Sequence, residues 1–423
     1  MATCWWRRTF WLLGFACLWL NVWDDPPLHT GAYLQDVTET TAVVGMVTAE
    51  PTEATVTVRD GAGKIVKVLQ QGGRRRHSLR IEGMQPASEY RYEVRIDGID
   101  VDAGSIRTAD PSDQAAVRFV FLGDSGGQPW WVWLQRTSIL HWPARWGWFA
   151  ARDTVTRIGA AVAAFRPDFV LHLGDVVYPR GLNAHYQAGF FQPFAEALRH
   201  APFYVALGNH DVMDAGGQQA LANLGWAQGD LTGDARCFSF VRGPVRVVVL
   251  DFNSFGLGDP HLVQSPVFTF LQRTLAACEE PWIVVASHFP MRSASRAGNR
   301  GDLLKFVLPE LEAAGVSLYL SGHDHCYQRF GDPEAGQMPL VVSGGGGKDL
   351  YAVHPDRRAA VLASAFHWCT AEVEAGVMQV RSHGLEGVEI DSFQLRLPRG
   401  EALERLRRSN PRRAARIEVL RRG

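Results

Sequence analysis

Short apolar runs that end abruptly at Asp, Asn or His recur along the middle and C-terminal parts of the chain. The clearest run covers residues 170–178, where the apolar segment stops at a Gly-Asp pair and a tyrosine follows shortly afterwards. Four further segments, at 119–124, 204–211, 283–288 and 318–325, follow the same rule. Apolar runs of this length are typical of buried strands. The pattern therefore predicts five strands that deliver polar side chains from one edge of a sheet.

From about residue 116 onward, strand-like and helix-like segments alternate. This alternation favours an α/β fold with a layered core. Residues 340–397 return to strand character, with a hairpin predicted over 377–390. The predicted strands are 116–124, 167–175, 202–208, 245–251, 282–287 and 317–321, and the predicted helices are 152–166, 190–199, 268–278 and 303–314.

Residues 30–108 show the period-two alternation of half-buried strands. Clusters of Gly and Asp between the alternating segments predict turns. The region is therefore expected to be a small all-β sandwich, and residues 83–90 resemble the corner before a late strand in fibronectin type III domains. No catalytic motif falls in this region. The alternating segments are 54–58, 78–81 and 90–96, and the predicted turns are 60–63, 72–73 and 97–100.

The first 23 residues combine a charged start, Arg7-Arg8, with a run of about 14 apolar residues. That run fits an export signal better than a membrane span, which needs about 20 residues. Residues 7–10 also resemble a twin-arginine signal, and the absence of a clear cleavage site leaves an uncleaved anchor open. We therefore expect an exported protein of the periplasm or cell envelope.

Length and composition allow two domains with flanking segments, since the chain has 423 residues, of which 46% are hydrophobic. Six scattered cysteines without a C-x-x-C pair indicate buried free thiols rather than a disulfide framework, and a pair between Cys237 and Cys278 stays open for an oxidising compartment. The predicted parts are a signal or anchor segment at 1–29, the β-sandwich at 30–110, the catalytic domain at 111–397 and a basic C-terminal tail at 398–423.

The net charge of −1 argues against broad electrostatic binding to nucleic acid. Two local segments keep contact with a membrane surface open, in addition to the N-terminal segment. Residues 128–150 contain six of the 14 tryptophans, which favour cores, interfaces and headgroup belts. Residues 396–423 contain ten arginines, which fit either a solvated basic helix or a helix that binds anionic lipid.

The polar residues at the predicted strand ends are of the types that bind hard or borderline cations. A set of seven such residues is too large for one tetrahedral zinc ion, and it fits two ions that share a carboxylate. Two ions about 3.5–4 Å apart bind both an attacking hydroxide and a phosphoryl oxygen. The pattern therefore predicts a metal-dependent hydrolase with a small phosphoester substrate.

Each of these motifs is weak alone, but their order and chemistry together resemble the calcineurin-type metallophosphoesterases. The tyrosine at 178 narrows the resemblance to the purple acid phosphatases, and residues 169–211 most resemble the small, tartrate-resistant branch. The resemblance covers about residues 116–350 and implies a two-sheet sandwich flanked by helices. The motifs are Gly123-Asp-Ser-Gly126, Gly174-Asp-Val-Val-Tyr178, Gly208-Asn-His-Asp211, His288 and Gly322-His-Asp-His325.

The resemblance also implies a role for each residue in phosphomonoester hydrolysis by metal-bound hydroxide. His210 would contact the phosphate and assist the leaving group, and Asp211 would orient His210. The first metal, expected to be Fe(III), would be held by Asp124, Tyr178 and His325. The second, a divalent Fe, Zn or Mn ion, would be held by Asn209, His288 and His323, with Asp175 bridging the two.

One departure from the family pattern concerns the loop after His288. Enzymes of the small branch carry another substrate-facing histidine there, whereas residues 290–300 contain none. Arg292, Arg296 or Arg300 would bind phosphate in its place, or the loop is simply exposed and solvated.

Two other functions stay open from the sequence. A phosphodiesterase acting on nucleotides or lipid head groups would use the same metal pair. A non-catalytic envelope protein would dock through its tryptophan and arginine segments, although such a protein has no need of seven ligands.

Overall fold

A computed structural model describes residues 28–126, 153–213, 215–224, 236–254, 260–374 and 376–421. The predicted export segment and the tryptophan-rich segment lie outside these described residues. Within the described ranges, no helix has both the length and the apolar character needed to cross a membrane.

The N-terminal region is an all-β unit, as predicted. β2 and β3 form a long antiparallel hairpin, and β1 and β4 pair with different halves of β2. Buried residues from both halves, including Val44 and Val56, join one apolar core. The strands are β1 (Tyr33–Gln35), β2 (Thr41–Arg59), β3 (Ile65–Glu82), β4 (Glu89–Ile96) and β5 (Ile99–Arg107).

The turn predicted at Gly72-Gly73 is wrong, because β3 continues through these residues. Gly73 has a φ of 69°, and the β2–β3 register shifts near Val47 and Thr52. The two glycines therefore accompany a bend in a continuous hairpin, and a bend and a turn share the same sequence signal. The resemblance to fibronectin type III domains stays a prediction.

Residues 117–396 contain two sheets. One has the order β18-β17-β16-β6-β7-β8 and the other the order β15-β13-β14-β12-β11-β10-β9. The strands are β6 (Val117–Leu122), β7 (Phe169–His172), β8 (Phe203–Val205), β9 (Phe238–Arg242), β10 (Val245–Leu250), β11 (Trp282–Ser287), β12 (Leu318–Ser321), β13 (Tyr327–Phe330), β14 (Leu340–Ser343), β15 (Ala359–Ala363), β16 (His367–Glu374), β17 (Val377–Gly384) and β18 (Glu389–Arg396).

Aromatic rings from the two sheets interlock and form the main core. Phe169 of β7 stacks on Phe119 of β6, with 4.9 Å between ring centroids, and contacts Phe240 of β9 edge-on at 5.2 Å. Tyr204 of β8 also stacks on Phe240, at 3.8 Å. Aromatic pairs at these distances stabilise a core beyond their buried area. The predicted α/β architecture, two facing sheets with helices, is therefore confirmed.

Helices flank the sheets, and two of the predicted helices begin as π-helical turns. The π-helices are Gln187–Phe191 and Leu303–Val307, and the 3-10 helices are Ala215–Gly217 and Pro260–Gln264. The α-helices are α1 (Asp153–Phe165), α2 (Asn183–Tyr186), α3 (Ala195–Leu198), α4 (Asn209–Val212), α5 (Gln218–Leu224), α6 (Pro266–Ala277), α7 (Leu308–Ala313), α8 (Gly400–Ser409) and α9 (Pro411–Leu420).

The arginine-rich tail forms the helices α8 and α9, whose apolar side chains join the main core while most of their arginines stay exposed. The side chain of Arg413 in α9 is buried, and its guanidinium donates four hydrogen bonds to backbone carbonyl oxygens. Arg416 pairs with Asp113, at 2.8 Å from Nε. Part of the charge of the tail therefore stabilises the fold. The sequence did not reveal this, because an arginine that caps buried carbonyls and an exposed one look alike in the chain.

Candidate metal centre

The predicted site residues follow strands of both sheets, and this corrects the expectation of a single sheet edge. Three strands of one sheet, β6, β7 and β8, are parallel neighbours, and the parallel pair β11 and β12 belongs to the other sheet. Because both sets end at the same side, their loops meet between the sheets. The sequence shows where each strand ends but not which sheet the strand joins.

Asp124, Tyr178 and His325 form the first group of side chains. The Tyr178 hydroxyl lies 2.9 Å from Asp124 Oδ1 and 3.2 Å from His325 Nε2. His325 Nε2 is 3.4 Å from Asp124 Oδ1. All three side chains are buried. Two oxygen donors and one nitrogen donor therefore converge on one point.

Asn209, His288 and His323 form the second group. The Asn209 side-chain oxygen lies 3.1 Å from His288 Nε2 and 3.0 Å from His323 Nδ1. The two ring nitrogens are 3.2 Å apart. These six predicted residues are thus divided between two groups, in the same combination that the family resemblance implies.

Asp175 lies between the two groups and contacts both. Its Oδ2 is 3.1 Å from the Tyr178 hydroxyl, and its Oδ1 is 3.5 Å from His288 Nε2. The ligand atoms of Asp124, Asp175 and His288 all lie within 4.8 Å of one another. This carboxylate is therefore placed where one oxygen faces each group.

The hydrogen bonds around the histidines fit a metal centre. Nδ1 of His288 donates to the Leu173 carbonyl at 2.8 Å, and Nδ1 of His325 donates to the Asp349 carbonyl at 2.7 Å. A carbonyl oxygen can only accept, so in each neutral ring the proton is on Nδ1 and the bare Nε2 faces the cluster. Bonds of this kind orient metal-binding histidines in proteins. In their neutral forms, His288 and His325 therefore direct lone pairs into the cluster, as metal-binding imidazoles do.

The pKa shifts of Tyr178 and His323 follow from burial and from the charges around them. Burial raises the pKa of Tyr178 well above its usual value, and the charges of Asp124 and Asp175 raise it further. Burial lowers the pKa of His323 to about 3, and His288 adds to this effect. His323 is therefore neutral, as a metal-binding imidazole must be. A phenolate at Tyr178, in contrast, requires a nearby cation.

Unusual backbone geometry brings the ligands into this small volume. Asp124, Asp175 and His323 have φ values of 58°, 50° and 70°, in the left-handed region that non-glycine residues rarely occupy. Such conformations cluster at functional sites, where the surrounding structure holds them. Gly322 admits no side chain, because a Cβ there would lie 2.6 Å from Asp124 Oδ2.

His210 lies beside the cluster, but Asp211 does not orient it, and this expectation is wrong. His210 Nδ1 donates to the Pro179 carbonyl at 2.7 Å, and its ring lies 4.5 Å from that of Tyr178. The fully buried Asp211 carboxylate instead accepts the backbone N–H groups of Val176 at 3.0 Å and Gly208 at 2.8 Å. Asp211 therefore ties the loop after β7 to the loop after β8.

The loop after His288 uses its arginines in different ways. Arg300 is buried and forms an ion pair with Asp302 at 2.6 Å, so the expectation that it binds phosphate is wrong. Arg296 is exposed, and its guanidinium lies 4.1 Å from the centroid of the Tyr351 ring. Tyr351 in turn stacks on His325, at 4.0 Å.

Sequence reasoning missed Tyr351 and the glycine-rich loop that precedes it. Lys348 follows Gly344–Gly347, and its Nζ lies 5.0 Å from the centroid of the Tyr178 ring. The Lys348 backbone N–H donates to the Asp124 carbonyl at 2.9 Å. Four consecutive glycines after the strand Leu340–Ser343 were the signal, because close backbone approach requires residues without side chains.

Comparison with known families and proteins agrees with this geometry. Residues 117–327 match the calcineurin-like phosphoesterase family, and residues 25–112 match a domain of unknown function, DUF7800. Tartrate-resistant acid phosphatase type 5 of Homo sapiens is 28% identical over 314 residues, which cover 67% of this chain and 91% of that protein.

Solved structures share the fold. Purple acid phosphatase PPD1 from yellow lupin seeds superposes with a TM-score of 0.70 at 15% identity, covering 88% of this chain and 75% of the other. The structure of PhoD gives a TM-score of 0.64 at 12% identity, covering 94% and 99%. Residues 117–327 are therefore a calcineurin-like metallophosphoesterase domain, and homologues of this chain are tartrate-resistant and purple acid phosphatases.

Proposed function

We propose that this protein is a metal-dependent phosphatase that hydrolyses phosphomonoesters at a pair of metal ions. The observation that carries the proposal is the division of six side chains into two groups, with Asp175 in contact with both. The donor set of carboxylates, imidazoles, an amide oxygen and a phenol fits hard and borderline cations. The kinship with acid phosphatases supports the same reaction class.

In this proposal Asp124, Tyr178 and His325 hold Fe(III), and Asn209, His288 and His323 hold a divalent Fe, Zn or Mn ion. The choice of Fe(III) rests on Tyr178, because a phenolate is a hard anionic ligand. A metal pair held by these residues would supply charge that neutralises phosphoryl oxygens and would lower the pKa of a bound water.

The residues of the chain would position the substrate and move its protons. His210 fixes one ring proton on Nδ1 by its bond to Pro179. In its protonated form it also carries a proton on Nε2, which it would donate to the departing alkoxide. Asp211 would keep the loops that carry Asp175 and Asn209 in register. Burial of the ligands would limit competing contacts with bulk water.

The test compares purified protein with the variant Asp175→Asn. We expect two metal ions per wild-type chain and turnover of p-nitrophenyl phosphate. We expect the variant to lose the carboxylate that the two metal positions would share, and with it the activity. Full turnover in Asp175→Asn would refute the proposal. Wild-type protein that binds no metal when metal is supplied in excess would also refute it. Faster turnover of bis-p-nitrophenyl phosphate than of the monoester would instead support the phosphodiesterase alternative.

We also infer that the protein acts in the periplasm or cell envelope. The support for this location is the charged and apolar pattern of residues 1–23. Fractionation of cells that express the full chain and a variant with Arg7 and Arg8 replaced by Lys would test it. Cytoplasmic recovery of the wild-type protein would refute the inference.

A further inference from the structure

Hydrogen bonds join the N-terminal β unit, which comprises β1 to β5, to helix α5 of the metallophosphoesterase domain. Nε2 of Gln35 in β1 donates to the Leu224 carbonyl at 2.6 Å. A guanidinium nitrogen of Arg76 in β3 donates to the Asn223 side-chain oxygen at 2.8 Å. Gln35 and Asn223 are both buried. The end of α5 is therefore held by two strands of the N-terminal unit.

The contact with Arg76 determines how the Asn223 amide is oriented. A guanidinium carries donors only, so the amide oxygen faces Arg76 and the amide nitrogen points away from it. That nitrogen donates to Oδ1 of Asn183 at 2.6 Å. Gln219, one turn earlier on α5, accepts the Asn183 backbone N–H at 2.6 Å. Two side chains on one face of α5 therefore hold Asn183, and the N-terminal unit sets the orientation of one of them.

The segment 178–183 connects this contact to the metal centre. It begins at the predicted ligand Tyr178 and ends where α5 holds it. Within it, the Pro179 carbonyl accepts from Nδ1 of His210 at 2.7 Å, and the Gly181 N–H donates to the His210 carbonyl at 2.8 Å. A shift of this segment therefore moves the carbonyl that orients the His210 ring.

We propose that Asn223 is a positioning residue, by which the N-terminal β unit holds segment 178–183 and, through it, the ring of His210. This inference rests on the proposed function and adds a role for the N-terminal unit at the same site. None of the seven predicted ligands belongs to that unit, so its contribution would be to hold the segment in the geometry that turnover requires. Loss of the contact would lower kcat without removing a ligand.

The experiment measures kcat of the full chain with p-nitrophenyl phosphate at saturating metal. Asn223→Leu keeps a side chain of similar size but can neither accept from Arg76 nor donate to Asn183. We expect its kcat to fall about tenfold, the scale of one lost buried hydrogen bond. Asn183→Ala removes the same bond from its other end and should give a similar loss. Arg80→Ala is the matched control and should keep wild-type kcat, because Arg80 is an exposed arginine of the same strand that pairs with Asp36.

A second set of variants tests whether the N-terminal unit acts through this amide. Arg76→Ala should lower kcat by about threefold, because the amide loses the donor that orients it. Arg76→Lys should restore part of the loss, because an ammonium group also donates. Arg76→Ala combined with Asn223→Leu should be no worse than Asn223→Leu alone. Unchanged kcat in either single variant, or losses that multiply in the double variant, would overturn the inference while leaving the proposed phosphatase intact.

Hydrogen exchange, followed by mass spectrometry, tests the position of the segment without any turnover. In Asn223→Leu, the peptide that contains residues 178–183 should exchange about tenfold faster than in wild type, while peptides from β10 and β11 exchange as in wild type. Unchanged exchange at 178–183 would overturn the inference. A general increase in every peptide would also overturn it, because that result indicates a role in overall stability only. If the wild-type chain does not hydrolyse the ester, the proposed function fails instead, and the exchange result alone decides the inference.

Discussion

The contacts of Asp211 predict that replacing it with Asn weakens metal binding rather than the chemical step. The carboxylate accepts one N–H from the loop that carries Asp175 and another from Gly208, which precedes Asn209. An Asn side chain has only one oxygen. Asp211→Asn therefore keeps one bond and sets an amide N–H against the other backbone N–H.

The size of the effect follows from these two bonds. Loss of one buried hydrogen bond, with an unsatisfied donor left behind, costs about 1–3 kcal/mol of unfolding free energy. A partner that supports metal ligands typically contributes about 10- to 100-fold to metal affinity. Burial, and then the charge of Asp175, raises the pKa of Asp211 to about 7. The charged carboxylate is therefore destabilised by its surroundings and depends on the two backbone N–H groups that it accepts.

The assay combines metal content after dialysis against a chelator, urea unfolding and kcat under metal-saturating conditions. Asp211→Asn should lose metal at lower chelator concentration and unfold earlier, with kcat largely recovered by excess metal. His210→Ala is the contrasting variant, and it should lose kcat while keeping its metal. If Asp211→Asn kept wild-type stability and metal content but lost kcat as His210→Ala does, Asp211 would act through His210 and the reasoning would be refuted.

Two further predictions concern stability. Arg413→Ala leaves four backbone carbonyls without their buried donor and should lower the unfolding free energy by about 3–5 kcal/mol. In urea unfolding, the control Arg412→Ala should behave like wild type, because Arg412 is exposed. Equal unfolding midpoints for the two variants would contradict this prediction. Burial lowers the pKa of His367 to about 4, below the unfolded value of about 6.5. Acid therefore favours the unfolded chain, and this histidine should lower the free energy of unfolding by about 2 kcal/mol between pH 7.5 and pH 5. This loss of stability is absent above the unfolded pKa and complete below the folded pKa. His367→Gln should flatten the plot of unfolding free energy against pH over this window. Parallel plots for wild type and variant would contradict the prediction.

The strand ends and their polar residues could be predicted because the signal is local. One apolar run that stops at Asp or His is a weak signal, but five such runs in one chain indicate strands that enter a site, and Asp175, Tyr178 and His288 were found in this way. Their separation into two groups required the family resemblance. The sequence could not show that the ligands come from two sheets, since the pairing of strands depends on contacts between distant residues.

Other features depended on tertiary contacts that leave no local trace. Asp211 sits next to His210 in the chain, which made a direct bond plausible, yet its short side chain reaches backbone N–H groups instead. Three arginines have different surroundings: Arg296 lies on an aromatic face, Arg300 forms an ion pair, and Arg413 donates to backbone carbonyls. Burial and partners decide these roles, and the sequence specifies neither directly.

We propose that Tyr178 and Asp175 belong to a centre of two metal ions, one of them Fe(III). The most direct measurement is the visible absorption spectrum of the purified wild-type protein and of Tyr178→Phe, each normalised to bound iron. We expect a charge-transfer band from a tyrosine phenolate on Fe(III) in the wild type and its loss in the variant. An iron-containing wild-type protein without that band, or a band that survives in Tyr178→Phe, would show that Tyr178 does not bind Fe(III).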